Sequence, residues 1–127
     1  MSTHPTQFTK QKQFLVCVDS DGCAMDTMNV KHERFFGPLA ADEYGIKDRE
    51  TFLADWNRIN LFSSTRGINR FKALVLTLIE AQEKGEDIGD ITGLTAWANN
   101  APSLSNASLD AEIAKASSQD LEKAWVW

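Results

Sequence analysis

The chain has 127 residues, of which 43% are hydrophobic and 24% charged, the usage of a globular domain rather than of a rod, a collagen-like repeat or a disordered tail. Thirteen Lys and Arg against eighteen Asp and Glu leave a net charge of −5. No basic field is available for nucleic acid or an anionic membrane, so neither is expected as a partner, and an anionic substrate must be drawn in by local geometry.

Residues 1–12 read as a polar lead-in without periodicity or the apolar core of a secretory signal. Phe14-Leu15-Val16-Cys17-Val18 is a continuous apolar run, the pattern of a strand buried on both faces. The strand is expected to stop at Asp19-Ser20-Asp21-Gly22, where the composition changes to that of a turn. No other segment reads as a strand to pair with it. The longest apolar stretches are far shorter than the ~20 residues of a membrane span. Cys17 and Cys23 read as reduced thiols, and the chain as cytoplasmic.

From Asp26 onward the periodicity is helical. A helix capped by Asp26 or Thr27 runs towards Phe35 and is expected to break at Gly37-Pro38. A short helix opens at Pro38 and ends at Gly45. Asp48 precedes an apolar stripe of Phe52, Leu53, Trp56 and Ile59. After Gly67 a second stripe of Phe71, Leu74, Val75, Leu78 and Ile79 runs to Gly85. Leu94 and Trp97 mark a helix before Pro102. Ser105 or Asn106 caps one through Leu109, Ile113 and Ala116, and Ser118 caps a last one carrying Leu121, Ala124 and Trp125. The predicted core contains Phe52, Trp56, Phe71, Leu74, Val75 and Leu78, and the tryptophans are read as core or interface residues rather than as stacking platforms.

Chemistry concentrates just beyond the apolar run. Carboxylates at i and i+2 after a strand end can both reach a site at its edge, one attacking or binding a hard cation, the other moving protons. Gly22 permits a sharp turn between them and the next helix. An EF-hand loop also opens D-x-D, but here glycine comes fourth and the twelfth position is Val30, where that loop needs a carboxylate. An acidic turn without chemistry is the other alternative.

The run Phe14–Val18 followed by Asp19-Ser20-Asp21-Gly22, with Asp26-Thr27 behind it, resembles the first motif of haloacid dehalogenase-like (HAD-like) hydrolases. The resemblance implies that Asp19 is the nucleophile, forming an aspartyl-phosphate, and that Asp21 is the general acid/base. It also implies Mg²⁺ as cofactor, held by Asp19 and by the main-chain carbonyl of Asp21. Cys23 stands where the family most often has Thr. Many members insert a helical cap after this motif, so residues 1–26 are expected to be the strand and nucleophile loop and residues 27–127 the cap. In the cap, Arg66, Asn69 and Arg70 are candidates for binding substrate, since Ser63–Arg70 gathers donors and cations before a helix. The alternative is a solvated helix–helix loop.

The family's later motifs are missing. Leu74-Val75-Leu76-Thr77 imitates a strand ending in Thr but continues in helical register, and Gly89-Asp90 lacks a preceding apolar strand. The expected fold is therefore mainly α: one core strand and a helical cap bundle, from a parent with a doubly wound parallel, Rossmann-like sheet. The expected function is that of an N-terminal portion of a Mg²⁺-dependent phosphohydrolase acting on a small phosphorylated substrate, inactive alone, and either self-associating through 14–18 or disordered over roughly its first 25 residues. The alternative is a short, non-catalytic helical protein that binds a partner.

Overall fold

The computed structural model describes residues 9–127; the polar lead-in over residues 1–8 lies outside the described residues. Among these are six helical rods in chain order: α1 (27–43), α2 (49–62), α3 (Arg70–Glu83), α4 (Thr92–Asn100), α5 (Asn106–Lys115) and α6 (Gln119–Val126). They stack in sequence, α1 on α2, α2 on α3 and α3 on α4, with α6 packed on both α4 and α5. No helix is long and apolar enough to cross a membrane among the described residues.

The expected strand is absent. Phe14, Leu15, Val16 and Val18 are between 71 and 84% exposed and belong to no regular element. No sheet forms among the described residues, so the backbone of this run has no ladder to join, and its apolar side chains find no facing layer. An apolar run signals a need for burial but cannot supply the partner.

α2, α3 and α5 begin where short polar side chains take up free N–H groups, whereas the expected caps Asp26 and Ser118 make no such bond. Asp48 accepts from the Thr51 amide at 3.2 Å, Asn69 from the Phe71 amide at 2.9 Å and Ser105 from the Ser108 amide at 3.2 Å. Two further caps come from distant chain. Glu86, beyond α3, accepts from the amides of Lys47 and Asp48 at 3.0 and 2.7 Å at the start of α2. Asp120 of α6 is buried and accepts from the Leu94 amide at 2.6 Å in the first turn of α4. Gly45 and Gly85 follow α1 and α3 with positive φ, as the sequence predicts.

The expected break at Gly37-Pro38 does not occur. α1 runs through it by widening into a π-helical turn over His32–Phe36 before the α-helical stretch Gly37–Glu43. Pro38 offers no N–H and its ring crowds the carbonyl four residues back, and the wider turn just before it relieves that crowding. Gly37 is buried and serves a close approach. A Cβ there would lie 2.9 Å from Trp56 Cδ1, 3.0 Å from the His32 carbonyl oxygen and 3.2 Å from Leu53 Cδ2.

All six predicted core residues are buried, with Tyr44, Ile88, Ile91, Leu94, Trp97, Leu109, Leu121 and Ala124 added from the other elements. Trp56 and Trp97 are core, as expected. Trp125 instead faces solvent, and Trp127 turns inward to meet Trp56, Phe36 and Phe71 at ring-centroid distances of 5.6, 5.7 and 6.1 Å. Leu121 and Ala124 fill the buried face of α6, so Trp125, next in sequence, points away.

Candidate functional site

The segment Asp19–Met25 is a tight loop held by its own backbone. The Gly22 amide donates to the Met25 carbonyl at 2.9 Å, the Met25 amide to Ser20 at 2.9 Å and the Ala24 amide to Asp19 at 3.2 Å. Gly22 adopts φ +69, a left-handed angle that other residues resist. A Cβ at this position would also meet Met28 Cγ at 2.8 Å. The loop therefore requires glycine twice over, for its turn and for the helix that lies against it.

Thr27 and Lys31 stand one helical turn apart on α1 and so project from the same face. That face meets Asp21. Thr27 Oγ1 donates to Asp21 Oδ1 at 2.7 Å and Lys31 Nζ to Asp21 Oδ2 at 2.8 Å, engaging both carboxylate oxygens. The ammonium of Lys31, and then the hydroxyl of Thr27, hold the Asp21 carboxyl below the usual carboxylate range. In this arrangement Asp21 is ionised at neutral pH, set to accept a proton rather than to donate one. The Asp19 carboxylate is exposed and makes no hydrogen bond among the described residues.

The three substrate-binding candidates separate. Arg66 reaches the loop, its Nη2 lying 3.5 Å from where a Gly22 Cβ would stand, while Nη1 donates to the Leu61 carbonyl at 2.9 Å. That carbonyl belongs to the π-helical turn Arg58–Phe62 that ends α2. Thr65 completes the cap by donating to the Ile59 carbonyl at 2.6 Å. Asn69 is occupied in capping α3 and in donating from Nδ2 to the Leu104 carbonyl at 3.1 Å. Arg70 turns to the aromatic cluster, its guanidinium 4.7 Å from the Phe71 ring centroid and 5.8 Å from that of Trp127, and hydrogen-bonds Asn106. These two side chains knit α3 to the chain that follows it.

Lys31 and His32 escape a motif-based reading, although the i, i+4 spacing of Thr27 and Lys31 directly behind the loop was available to find the first. His32 is buried against Trp56 and Phe36. Its burial first, and then the charges of Lys31 and Arg66, push its imidazole below the ordinary histidine value.

The loop supplies oxygen donors of the kind Mg²⁺ prefers, the Asp19 carboxylate and the Asp21 carbonyl. The ion demands six ligands in near-octahedral array, and no three acidic, histidine or cysteine side chains converge among the described residues. The described residues do not by themselves make a magnesium site. Cys17 and Cys23 are exposed and unbonded to one another. No protein-family model matches the chain, and no curated protein or solved structure matches it either.

Proposed function

We propose that the chain carries the nucleophile loop and helical cap of a HAD-like phosphohydrolase. The single observation that carries the reading is the arrangement around Gly22. A two-carboxylate loop, closed on itself by a left-handed glycine, has its second carboxylate oriented by Thr27 and a cap-side arginine brought to its edge.

In this reading the Asp19 carboxylate attacks the phosphorus of a small phosphate monoester, forming an aspartyl-phosphate as the bond to the leaving oxygen breaks. Asp21, ionised at rest, takes up a proton from solvent as the substrate dianion binds and delivers it to that oxygen. It then takes one from the water that hydrolyses the acyl-phosphate, which releases inorganic phosphate and restores Asp19. Mg²⁺ is the proposed cofactor of the intact protein, with Asp19 and the Asp21 carbonyl as part of its shell and the remaining oxygen ligands supplied from elsewhere in the parent. The rest of the parent would be a doubly wound parallel α/β core, pairing Phe14–Val18 as one of its strands. Arg66 is the proposed substrate-binding residue of the cap, with Asn69 and Arg70 fixing the helix behind it. The cytoplasm is the proposed location.

The test is expression of a longer protein containing this chain and the missing motifs, assayed with Mg²⁺ against a panel of phosphate monoesters. Turnover should fall by ~10³ or more in Asp19→Asn, with the fold retained. Undiminished turnover in that variant would refute the assignment. The chain of residues 1–127 alone is expected to be inactive, because nothing in it stabilises the charge of the transferring phosphoryl group beyond one loop and two cations.

A further inference from the structure

An acidic protein that takes an anionic substrate needs local positive charge, and a loop can supply it through backbone amides or through side chains. Backbone supply is largely closed here. The amides of Gly22, Cys23, Ala24 and Met25 all donate within the loop, to Met25, Ser20, Asp19 and Ser20 respectively. What remains is side-chain charge, and the fold brings two cations to the loop from different elements. Lys31 arrives from α1 onto Asp21, and Arg66 arrives from the α2–α3 connection onto Gly22. Arg66 makes no ion pair among the described residues. Both cations also bear on His32, whose imidazole they help to keep neutral, so their fields overlap at one place.

We propose that Lys31 and Arg66 form a two-cation clamp that receives the phosphate dianion at the Asp19–Gly22 loop, with Lys31 exchanging its contact with Asp21 for the incoming phosphate oxygens. The proposal rests on the phosphohydrolase reading for the meaning of the site, and adds to it a residue that the first motif does not contain. The exchange is inexpensive. The Lys31–Asp21 pair is half exposed, with side chains 34% and 51% accessible, so solvent screens it and it contributes little. A phosphate dianion carries twice the charge of the carboxylate it displaces, so the ammonium gains by the exchange.

The experiment is a titration of the 127-residue chain with inorganic phosphate, followed through the amide resonances of Gly22, Thr27 and Arg66. Lys31→Gln and Arg66→Gln are compared with Lys115→Gln, a cation of α5 outside the loop. The two clamp variants should bind phosphate more weakly by ~10-fold or more, as loss of one charged hydrogen bond predicts. Lys115→Gln should bind as the parent does, and affinity should fall with added salt. If Arg66→Gln unfolds because the Leu61 carbonyl loses its donor, Lys31→Gln alone decides the matter. Absence of any response at the loop, or equal weakening in all three variants, would overturn the clamp. Phosphate binding by this chain, together with Asp19-independent turnover in the longer parent, would instead sink the phosphohydrolase reading and leave the clamp standing.

Discussion

The indole Nε1 of Trp127 donates to the Phe36 carbonyl at 2.9 Å, joining the end of the chain to the π-helical turn of α1 across 91 residues. The same indole packs edge-on against Trp56, and Arg70 lies over its ring. The carbonyl it reaches belongs to the segment that α1 widens just before Pro38, so the bond secures the one irregular stretch of the first helix. Trp127→Ala removes the bond and the aromatic contacts together. A fully buried Trp→Ala costs ~3–5 kcal/mol, and this partly buried one should cost about 2–3. Urea denaturation should show a lower midpoint at unchanged slope. A loss below about 0.5 kcal/mol would mean that the terminus is not seated.

Gly37→Ala sets two effects against each other. Alanine gains ~1 kcal/mol of helix propensity over glycine, and φ at this helical position imposes no strain. The added methyl would press on Trp56 Cδ1 at 2.9 Å and the His32 carbonyl oxygen at 3.0 Å. The first is part of a fully buried ring and the second is backbone, so neither yields easily. Overpacking of ~1–3 kcal/mol wins. The thermal midpoint should fall, and a rise would show that α1 and α2 are less closely apposed than the structure has them.

Leu74→Ala tests the centre of the bundle. Leu74 is fully buried in α3, between the stripe of α2 and that of α4. Truncation should cost about 2–5 kcal/mol, near the upper end if Phe71 and Leu78 cannot collapse into the space. Chemical denaturation monitored by tryptophan emission measures it directly. A loss under 1 kcal/mol, on the order of a surface substitution, would place Leu74 outside the core.

Local signals carried most of the bundle, and distant ones accounted for what the sequence concealed. Apolar stripes at i, i+3 and i+4 located α2 and α3 and their buried faces, since a helix exposes its periodicity in a window of one or two turns. Ser105 was legible as a cap because a cap lies within three residues of what it caps. Glu86 and Asp120 were not, because each caps a helix that begins 26 or more residues away. Gly37 was misread for the same reason. Its use is space for Trp56, while Gly-Pro as a dipeptide signals only a turn. At the loop, Asp19, Asp21, Gly22 and Thr27 stood out as a motif. Lys31 depends on helical phase behind it, and Arg66 on how two helices fold back, which no motif contains.

The apolar run Phe14–Val18 has consequences for the isolated chain. Four large apolar side chains within five residues, each more than two thirds exposed, form a run that a second copy can pair with and cover. Sedimentation velocity should show self-association that grows with concentration. Val16→Lys should return the protein to a monomer, since a charge at the centre of the run opposes pairing. A concentration-independent monomer in the parent chain would exclude this edge as a contact.

Stability should depend on pH through His32 in a window separate from that of the carboxylates. Burial and the neighbouring cations lower its folded pKa below the ordinary 6.5. The unfolded chain therefore takes up a proton, as pH falls through that value, which the folded chain refuses. Stability must then decrease with falling pH, by at most about 1.4 kcal/mol per unit for one proton, until the folded pKa is passed. Asp21, Asp48, Glu86 and Asp90 are shifted down by their hydrogen-bonded partners. Their contributions are present above their ordinary values of 3.8 to 4.5 and are lost only as pH falls through and below that range. Thermal midpoints should thus decline in two stages, one beginning just below neutrality and one in acid. His32→Leu places an apolar side chain against Trp56 and Phe36 and removes the first stage while leaving the second. A first stage that persists undiminished in His32→Leu would assign it to a different group and would show that the imidazole is free to ionise where it lies.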